Sequence, residues 1–283
     1  KKDLTSAISM EELGITAGFL TAPFLTGAIL IAVSAGYVLF GIAAAFLLAA
    51  IIVPSVASQS DAGDEAPPKQ PKSSWSTGIF GGFRGGLVYA WQNPTLRTLL
   101  AVGFIGEVLA FNYISLAPIF TTDVFNGGSG LLGALEGTMP AGELIGVLLL
   151  ASIGYRLVKA GRWFLVGMIA VHVVAIPLAL SSNLPTTLLL LVVIGAFASL
   201  IGVLQSRVII EAVPQESRAR LLGVQQMTWG GGAIGGFTAG WLADVFSPGS
   251  AVAGMAVVGL VLVVIVALVG PQLRRMSISS QTD

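Results

Sequence analysis

The sequence has no cysteine, one histidine and few charged residues, and each scarcity excludes a class of proteins. Without cysteine there is no disulfide framework, no thiolate nucleophile and no cysteine metal site. One histidine and no His-Glu-x-x-His pair argue against a zinc enzyme. Charged residues make up 10% of the chain and hydrophobic residues 55%, so it lacks the polar surface that a water-soluble globular protein needs.

The balance of charge excludes a further partner. Fourteen basic and fourteen acidic residues give a formal net charge of zero, so the chain lacks the positive field of a nucleic-acid binder.

The first residues, Lys1-Lys2-Asp3-Leu4, contain no methionine and no secretory signal pattern. We therefore assign the first apolar stretch to the folded protein and interpret the start as cut.

Long apolar runs are abundant in this sequence. A bilayer core of about 30 Å requires roughly 20 apolar residues per helix, and runs of that length are bounded here by polar or turn residues. The eight predicted spans are residues 12–33, 36–56, 97–120, 129–153, 163–182, 185–208, 221–243 and 249–271. The predicted fold class is therefore an all-α, polytopic membrane protein.

The basic residues test this division independently, because cytoplasmic loops are enriched in lysine and arginine. All 14 lie at ends or loops that eight alternating spans place on one side. The loops on the opposite side contain acidic residues such as Asp123 and Asp244. Both ends of this chain are therefore predicted to be cytoplasmic, in a multi-pass protein of the plasma (inner) membrane.

A polar segment separates the first two predicted spans from the other six. Residues 58–74 are rich in proline, serine and charge, and we interpret them as a disordered linker. Residues 78–89, which include Phe80 and Phe83, are predicted to form a short helix in the membrane interface. The four glycines between Gly81 and Gly86 disfavour that helix.

Four polar motifs lie between or before the spans. In chain order they are residues 2–7 (KDLTSA), residues 91–97 (WQNPTLR), the set Gly154, Lys159, Gly161 and Arg162, and residues 213–220 (VPQESRAR) with Arg218 and Arg220. In this order they resemble loops of the major facilitator superfamily, in particular its drug and siderophore exporter branch. Val158 stands where that family usually has aspartate, and Ala219 where glycine is frequent.

The resemblance implies a division of the chain. Its eight spans would match helices five to twelve of a twelve-helix fold made of two six-helix bundles, so four helices of the N-terminal bundle would be missing partners. Residues 1–56 would end the N-terminal bundle, 57–96 would be the cytoplasmic linker, 97–275 the C-terminal bundle and 276–283 a cytoplasmic tail. Substrate sites in such folds lie near the midplane between the halves.

Glu107 is the clearest candidate for chemistry within a span. It lies about ten residues into the third span with no basic residue within a turn. Charge in the hydrocarbon core is costly, so a carboxyl group there favours its protonated form and is a plausible proton carrier. The resemblance adds that the corresponding helix lines the central cavity. The alternative is a protonated side chain that serves only helix packing.

Glu136 and Glu143 form an acidic stripe on the fourth span. Seven residues separate them, which places them within about 20° of one face and about 10.5 Å apart along the axis. Pro140 lies between them and is a potential kink. The stripe is interpreted as a cation or proton path, against the alternative that Glu136 reaches the outer surface while Glu143 pairs within the bundle.

Other polar side chains in the spans have weaker signals. Asn112 and Tyr113 lie about 140° and 120° around a regular helix from Glu107, so a distortion is needed for all three to face one cavity. Gln205 is a candidate for substrate hydrogen bonding, with bonding between helices as the alternative. His172 is interpreted as a structural histidine.

Glycine repeats predict close helix packing. Gly232, Gly236 and Gly240 recur every four residues and would form one smooth face, while a nucleotide loop is disfavoured because no lysine follows. The fourth span has the same four-residue glycine spacing in two pairs, Gly133 with Gly137 and Gly142 with Gly146.

The preferred hypothesis is a secondary active transporter, namely a proton-coupled exporter of small amphiphilic molecules. Its predicted partners are the lipid bilayer, the substrate and protons, with no cofactor and no metal. The alternatives are a transporter-derived receptor or scaffold, and an intramembrane enzyme, which the sequence disfavours because it shows no catalytic constellation.

Overall fold

The computed structural model describes residues 18, 20–60, 79–153, 157 and 159–276, and this part of the chain contains helices and no β-strand. The helices are α1 (Leu20–Ala32), α2 (Ala35–Ser60), α3 (Ile79–Gln92), α4 (Pro94–Leu109), α5 (Tyr113–Ile119), a π-helical segment (Phe120–Val124), α6 (Ser129–Ile153), α7 (Ala160–Leu180), α8 (Leu184–Ala212), α9 (Gln215–Thr228), α10 (Gly231–Val245), α11 (Pro248–Val269) and α12 (Pro271–Arg275). The all-helical prediction is confirmed for the described residues.

Six helical stretches of the described chain are long and apolar enough to cross a bilayer. They are Ala35–Ile52, Pro94–Val124, Ser129–Ser152, Ala160–Leu180, Leu184–Ala212 and Pro248–Val269. These stretches correspond to six of the eight predicted spans. The full count of eight, and the match to helices five to twelve, stay predictions.

The other two predicted spans differ from a single long helix. The first contains α1, a shorter apolar helix, and residues 12–17 of that span lie outside the described residues. The seventh is divided at Trp229 and Gly230, where turn-type bonds run from Trp229 N to Gln226 O and from Gly230 N to Met227 O. Adjacent glycines explain the division, because glycine is a weak helix former.

Three helices of the bundle begin at a polar residue followed closely by proline. Asn93 Oδ1 accepts bonds from Thr95 N at 3.0 Å and Leu96 N at 3.3 Å at the start of α4. Asn183 caps α8 through Thr186 N, and Ser247 caps α11 through Ser250 N. The caps satisfy free backbone N–H groups, and proline fits the first turn because it has no N–H to satisfy.

The helix that begins at Pro94 is distorted halfway. α4 ends at Leu109, residues 110–112 form a turn, and α5 begins at Tyr113. Phe111 N bonds to Gly106 O at 3.3 Å, one residue further back than a regular α-helix allows. The distortion therefore lies at residues 110–112, before Pro118, and it changes the direction of the side chains that follow.

Glycines set the closest helix crossings. A Cβ atom on Gly142 or Gly146 would meet the backbone of α8 at Val192 or Ala196. Earlier on α6, a Cβ on Gly133 would meet the backbone of α1 at Gly27, and one on Gly137 would meet the ring of Phe24. α6 therefore packs on two helices through its two glycine pairs, in agreement with the packing predicted for them.

The glycine face with which α10 packs is wider than the predicted one. Gly231 packs on Phe104 and Val108 of α4, and a Cβ on Gly235 would meet the Val108 backbone. Gly240, expected on the packed face, has no neighbour within 4 Å of a Cβ position. On the predicted face, a Cβ on Gly236 would meet the Ser115 side chain and one on Gly232 would lie 3.9 Å from Glu107 Oε2, so that face is confirmed at Gly232 and Gly236 but not at Gly240.

Helix α2 precedes the proposed linker in the sequence and helix α3 follows its polar part. α2 continues to Ser60, the apolar stretch within it ends at Ile52, and residues 61–74 of the proposed linker lie outside the described residues. α3 covers the predicted interfacial helix despite its glycines. A Cβ on Gly86 would lie 3.0 Å from Val224 and 3.3 Å from the Arg220 carbonyl, so this glycine allows α3 to lie close against α9.

The ends that carry basic residues are joined by direct contacts. Gly161 at the start of α7 packs on the Leu273 carbonyl of α12, and Gly270 packs on Thr98 of α4. Gly86 joins α3 to α9 at Arg220. At the opposite end, Gly249 of α11 packs on the Ala179 carbonyl of α7. The described basic loops therefore lie together at one end of the bundle.

Candidate functional site

Glu107 lies on α4 and is half-buried. A Cβ atom added to Gly232 of α10 would lie 3.9 Å from Glu107 Oε2, so the carboxyl group lies beside a helix that carries no side chain there. Among the described residues, the one ion pair lies elsewhere and joins Arg207 to Glu211 at 3.4 Å. No basic side chain within the described chain therefore neutralises Glu107.

A second carboxyl group, that of Glu143 on α6, lies near Glu107. The two groups are close enough for negative charge on Glu143 to act on Glu107 by Coulomb repulsion, and Glu143 is also half-buried. A Cβ on Gly195 of α8 would lie 2.8 Å from Glu143 N, so a tight crossing of α6 and α8 fixes this part of α6. The fold thus lets two acids that are 36 positions apart in the sequence interact electrostatically.

Glu136 occupies the same helix but not the same cluster. α6 continues without a break from Ser129 through Pro140 to Ile153, so the seven-residue spacing from Glu143 corresponds to about 10.5 Å along the axis. Glu136 is half-buried. The acidic stripe therefore extends from the Glu107–Glu143 pair toward the beginning of α6.

Asn112 and Tyr113 face the interior of the bundle and are 2% and 3% exposed. Asn112 Nδ2 lies 3.4 Å from Met255 Sδ of α11 and 3.5 Å from the Val108 carbonyl, whereas its Oδ1 has no partner among the described atoms. The Tyr113 ring lies 4.7 Å from that of Phe120, and its buried hydroxyl group also has no partner there. The turn at residues 110–112 directs Asn112 toward α11.

Gln205 of α8 contacts α4 one helical turn before Glu107. A Cβ on Gly103 would lie 2.7 Å from Gln205 Nε2, and Gly103 and Glu107 are four residues apart on one face. Gln205 is 4% exposed, and its Nε2 has no hydrogen-bond partner in the described structure. A buried amide donor of this kind ordinarily finds a partner, so water or a ligand is expected beside it.

Two further contacts lie near this region: for Gln225 and Gln226 the sequence left open substrate hydrogen bonding or bonding between helices, and only the contact at Gly103 was missed. Gln225 Nε2 donates to Ser206 Oγ at 3.2 Å and joins α9 to α8, while Gln226 is exposed. Gly103 provides the space for Gln205, as Gly232 provides it for Glu107. The spacing of Gly103 from Glu107 was the available signal, but it indicates a partner only once α8 is known to cross there.

His172 is fully buried between α7 and α11. Its Nδ1 lies 2.8 Å from the Met168 carbonyl, and Gly259 of α11 leaves room for its Nε2 edge. Nε2 has no partner among the described residues, so one ring nitrogen is bonded and the other is not. The ring packs between helices and is separate from the carboxyl pair, as expected of a structural residue.

The loop motifs lie at the basic end of the bundle. Lys159 is exposed before α7, Gly161 is buried against Leu273, and Arg162 is exposed; Gly154 lies outside the described residues. In the other loop, Arg218 Nε donates to the Val213 carbonyl at 3.2 Å and fixes the start of α9, while Arg220 is exposed. The motif residues therefore shape the ends of helices at a distance from the acidic cluster.

The acidic cluster, formed by Glu107, Glu143 and the nearby Gln205, can exchange protons and offer hydrogen bonds. No group of three or more histidine, aspartate or glutamate residues that could hold a metal ion occurs in the part of the chain that the structure describes. The two carboxyl groups and the unpartnered amide donor form a polar region inside an apolar bundle. Glycines at the nearby helix crossings leave space beside these groups.

Comparison with known proteins gives a consistent assignment. The family model described as Major Facilitator Superfamily matches residues 1–230. The chain is similar to the protein named multidrug efflux pump Tap from Mycolicibacterium fortuitum, with 26% identity over 280 residues. The match covers 98% of this chain and 66% of that relative, so the chain spans slightly less than two thirds of its length. No solved structure matches the chain.

Proposed function

Because the chain belongs to the major facilitator superfamily, we propose that it forms part of a proton-coupled exporter of small amphiphilic molecules. Family membership assigns it to membrane transporters rather than to enzymes. Similarity to a multidrug efflux pump supports export and more than one drug-like substrate.

The approach of Glu107 to Glu143 carries the proposal. Two carboxylates near each other in a medium of low dielectric repel strongly, so the pair is most stable when at least one of them is protonated. Substrate or helix movement that separates the acids, or that brings water to them, favours release of that proton. Release of this proton when substrate binds elsewhere in the cavity is the simplest form of coupling.

The packing around the acids supports movement there. Gly232 lies beside Glu107, and Gly195 lies beside the backbone of Glu143, so the helices cross these positions with no interlocking side chain. Smooth crossings let helices slide or rock with little steric cost. The unpartnered Nε2 of Gln205, one turn from Glu107, supplies a donor for substrate or water. Glu136 would extend the proton path along α6.

The orientation completes the proposal. The described basic loops lie at one end of the bundle, and the positive-inside tendency would place that end in the cytoplasm. Both ends of this chain would then be cytoplasmic in the inner membrane. The helices α1 and α2 would belong to a second bundle, on which α6 packs through Gly133, and further helices of that bundle would cover the exposed side of α2.

Accumulation of a fluorescent amphiphilic dye by inside-out vesicles tests the proposal. The vesicles carry the protein expressed from its complete coding sequence, and an imposed proton gradient, acid inside, should drive dye accumulation that a protonophore abolishes. A matched preparation with Glu107→Gln and Glu143→Gln together should bind dye without accumulating it. Accumulation that ignores the proton gradient would reject proton coupling, and the absence of any movement by the wild type would reject the transport assignment.

A further inference from the structure

An open groove lies between α7 and α11, away from the acidic cluster. Its cavity volume is about 230 Å³, which is smaller than the range of about 300–1,000 Å³ typical of sites for drug-sized ligands. Its walls are apolar and include Val166 and Ile169 of α7 and Val264 and Leu268 of α11. The polar residues of its lining are two arginines, Arg162 and Arg274.

Close packing brings the two arginines to one groove. Arg162 lies in the first turn of α7 and Arg274 in the last turn of α12. A Cβ on Gly161 would meet the Leu273 carbonyl, so α12 lies directly against the start of α7 because the residue before Arg162 is glycine. In the described structure no carboxylate pairs with either arginine. Two unpaired like charges beside one groove favour an anion between them.

The groove has the polarity profile of one membrane leaflet. Trp163, next to Arg162, is 41% exposed, and tryptophan at the end of a span marks the membrane interface. Ile169 follows Arg162 by seven residues on α7, which is about 10.5 Å toward the bilayer centre. The arginines therefore lie at head-group level, and the apolar walls continue from them into the hydrocarbon region.

We propose that this groove binds an anionic phospholipid, with the phosphate held by Arg162 and Arg274 and one acyl chain lying between α7 and α11. The guanidinium groups supply charge-assisted bonds to phosphate oxygens, and the apolar walls replace contacts with bulk lipid. A soluble phosphate would use the arginines alone. An uncharged partner would leave both arginines unpaired.

Native mass spectrometry of the purified protein tests this site with phosphatidylglycerol and phosphatidylcholine as probes. Each arginine near an anionic lipid contributes a factor of about five, so Arg162→Gln with Arg274→Gln should weaken phosphatidylglycerol binding about 25-fold if the effects add. Arg275→Gln is the matched control, because Arg275 is adjacent to Arg274 but does not line the groove. It should weaken binding less than fivefold, and phosphatidylcholine binding should not change.

A second pair of variants tests the acyl-chain part without a change of charge. Val264→Phe should fill the groove and weaken phosphatidylglycerol binding, whereas Val261→Phe, on an exposed position of α11 outside the groove, should not. Equal effects of Arg275→Gln and the double variant would overturn the proposal in favour of general charge attraction. Competition by inorganic phosphate at the lipid's own concentration would overturn it in favour of a soluble-anion site. A thermal unfolding curve for each variant confirms that it is folded.

Discussion

Gly235→Ala should destabilise the protein although alanine is the better helix former. A Cβ at position 235 would meet the Val108 carbonyl and lie 3.0 Å from the Val108 Cα, and both atoms are backbone, so α10 or α4 must move. Overpacking of this kind costs typically 1–3 kcal/mol, and rigid backbone places the cost at about 2–3 kcal/mol. The gain in helix propensity offsets about 0.5–1 kcal/mol of this. The net loss is about 1–2.5 kcal/mol.

Gly240→Ala on the same helix is the matched control, because no atom lies within 4 Å of the Cβ that it adds. It should stabilise by about 0.5–1 kcal/mol. At about 2–4 °C per kcal/mol, Tm should fall by about 2–10 °C for Gly235→Ala and rise by about 1–4 °C for Gly240→Ala. Thermal unfolding in detergent by intrinsic fluorescence measures both. A lower Tm for Gly240→Ala with no loss for Gly235→Ala would refute the packing of α10 through Gly231 and Gly235.

Two further predictions concern the start of α4 and the orientation of the bundle. Asn93→Ala removes the acceptor for Thr95 N and Leu96 N, and should cost about 1 kcal/mol, seen as a Tm lower by about 2–4 °C in the same assay. In this cysteine-free chain, Gly128→Cys should react with an impermeant maleimide outside intact cells and Lys159→Cys should not, since both positions are exposed and lie at opposite ends of α6 and α7. The reverse pattern of labelling would invert the topology.

The sequence predicts those features of the fold that depend on local chemistry. The starts of α4, α8 and α11 follow from a capping side chain and a proline within two residues, which act on their own backbone. The close packing of α6 could also be predicted from its glycine pairs, because a helix face without side chains allows another helix to approach closely. Span positions follow from apolar length, and six are matched by long helices in the described chain.

The breaks within spans could not be predicted in the same way. Residues 110–112 contain no glycine or proline that would mark a break, whereas Gly230, Gly231 and Gly232 are compatible with a break at 229–230 without requiring one. The bond from Phe111 N to Gly106 O replaces a regular one, and the difference in energy depends on what α10 and α11 present to this turn. Tertiary packing determines where the helix breaks, and the packing partners of a helix cannot be identified from a single sequence.

The candidate site shows the same limit. Glu107, Glu143 and Gln205 were each selected because polar groups in a membrane span are costly. The arrangement of α4, α6 and α8 determines that Glu107 lies near Glu143. It also places Gln205 beside Gly103, one turn from Glu107. Asn112 lies against Met255 of α11, because the turn at residues 110–112 rotates the chain. The types of residue were predictable, but their partners were not.

The pH dependence of transport by Glu107→Gln tests the central claim, that Glu107 carries the coupling proton. Glutamine keeps the size and most hydrogen bonding of the acid but does not titrate. Transport by the complete protein is measured in reconstituted vesicles over a range of external pH, for wild type, Glu107→Gln and the control Glu211→Gln, whose acid pairs with Arg207 on the surface. The account predicts that Glu107→Gln loses proton-driven transport and its pH dependence while substrate exchange persists, and that Glu211→Gln resembles wild type. A wild-type pH profile in Glu107→Gln would contradict the claim.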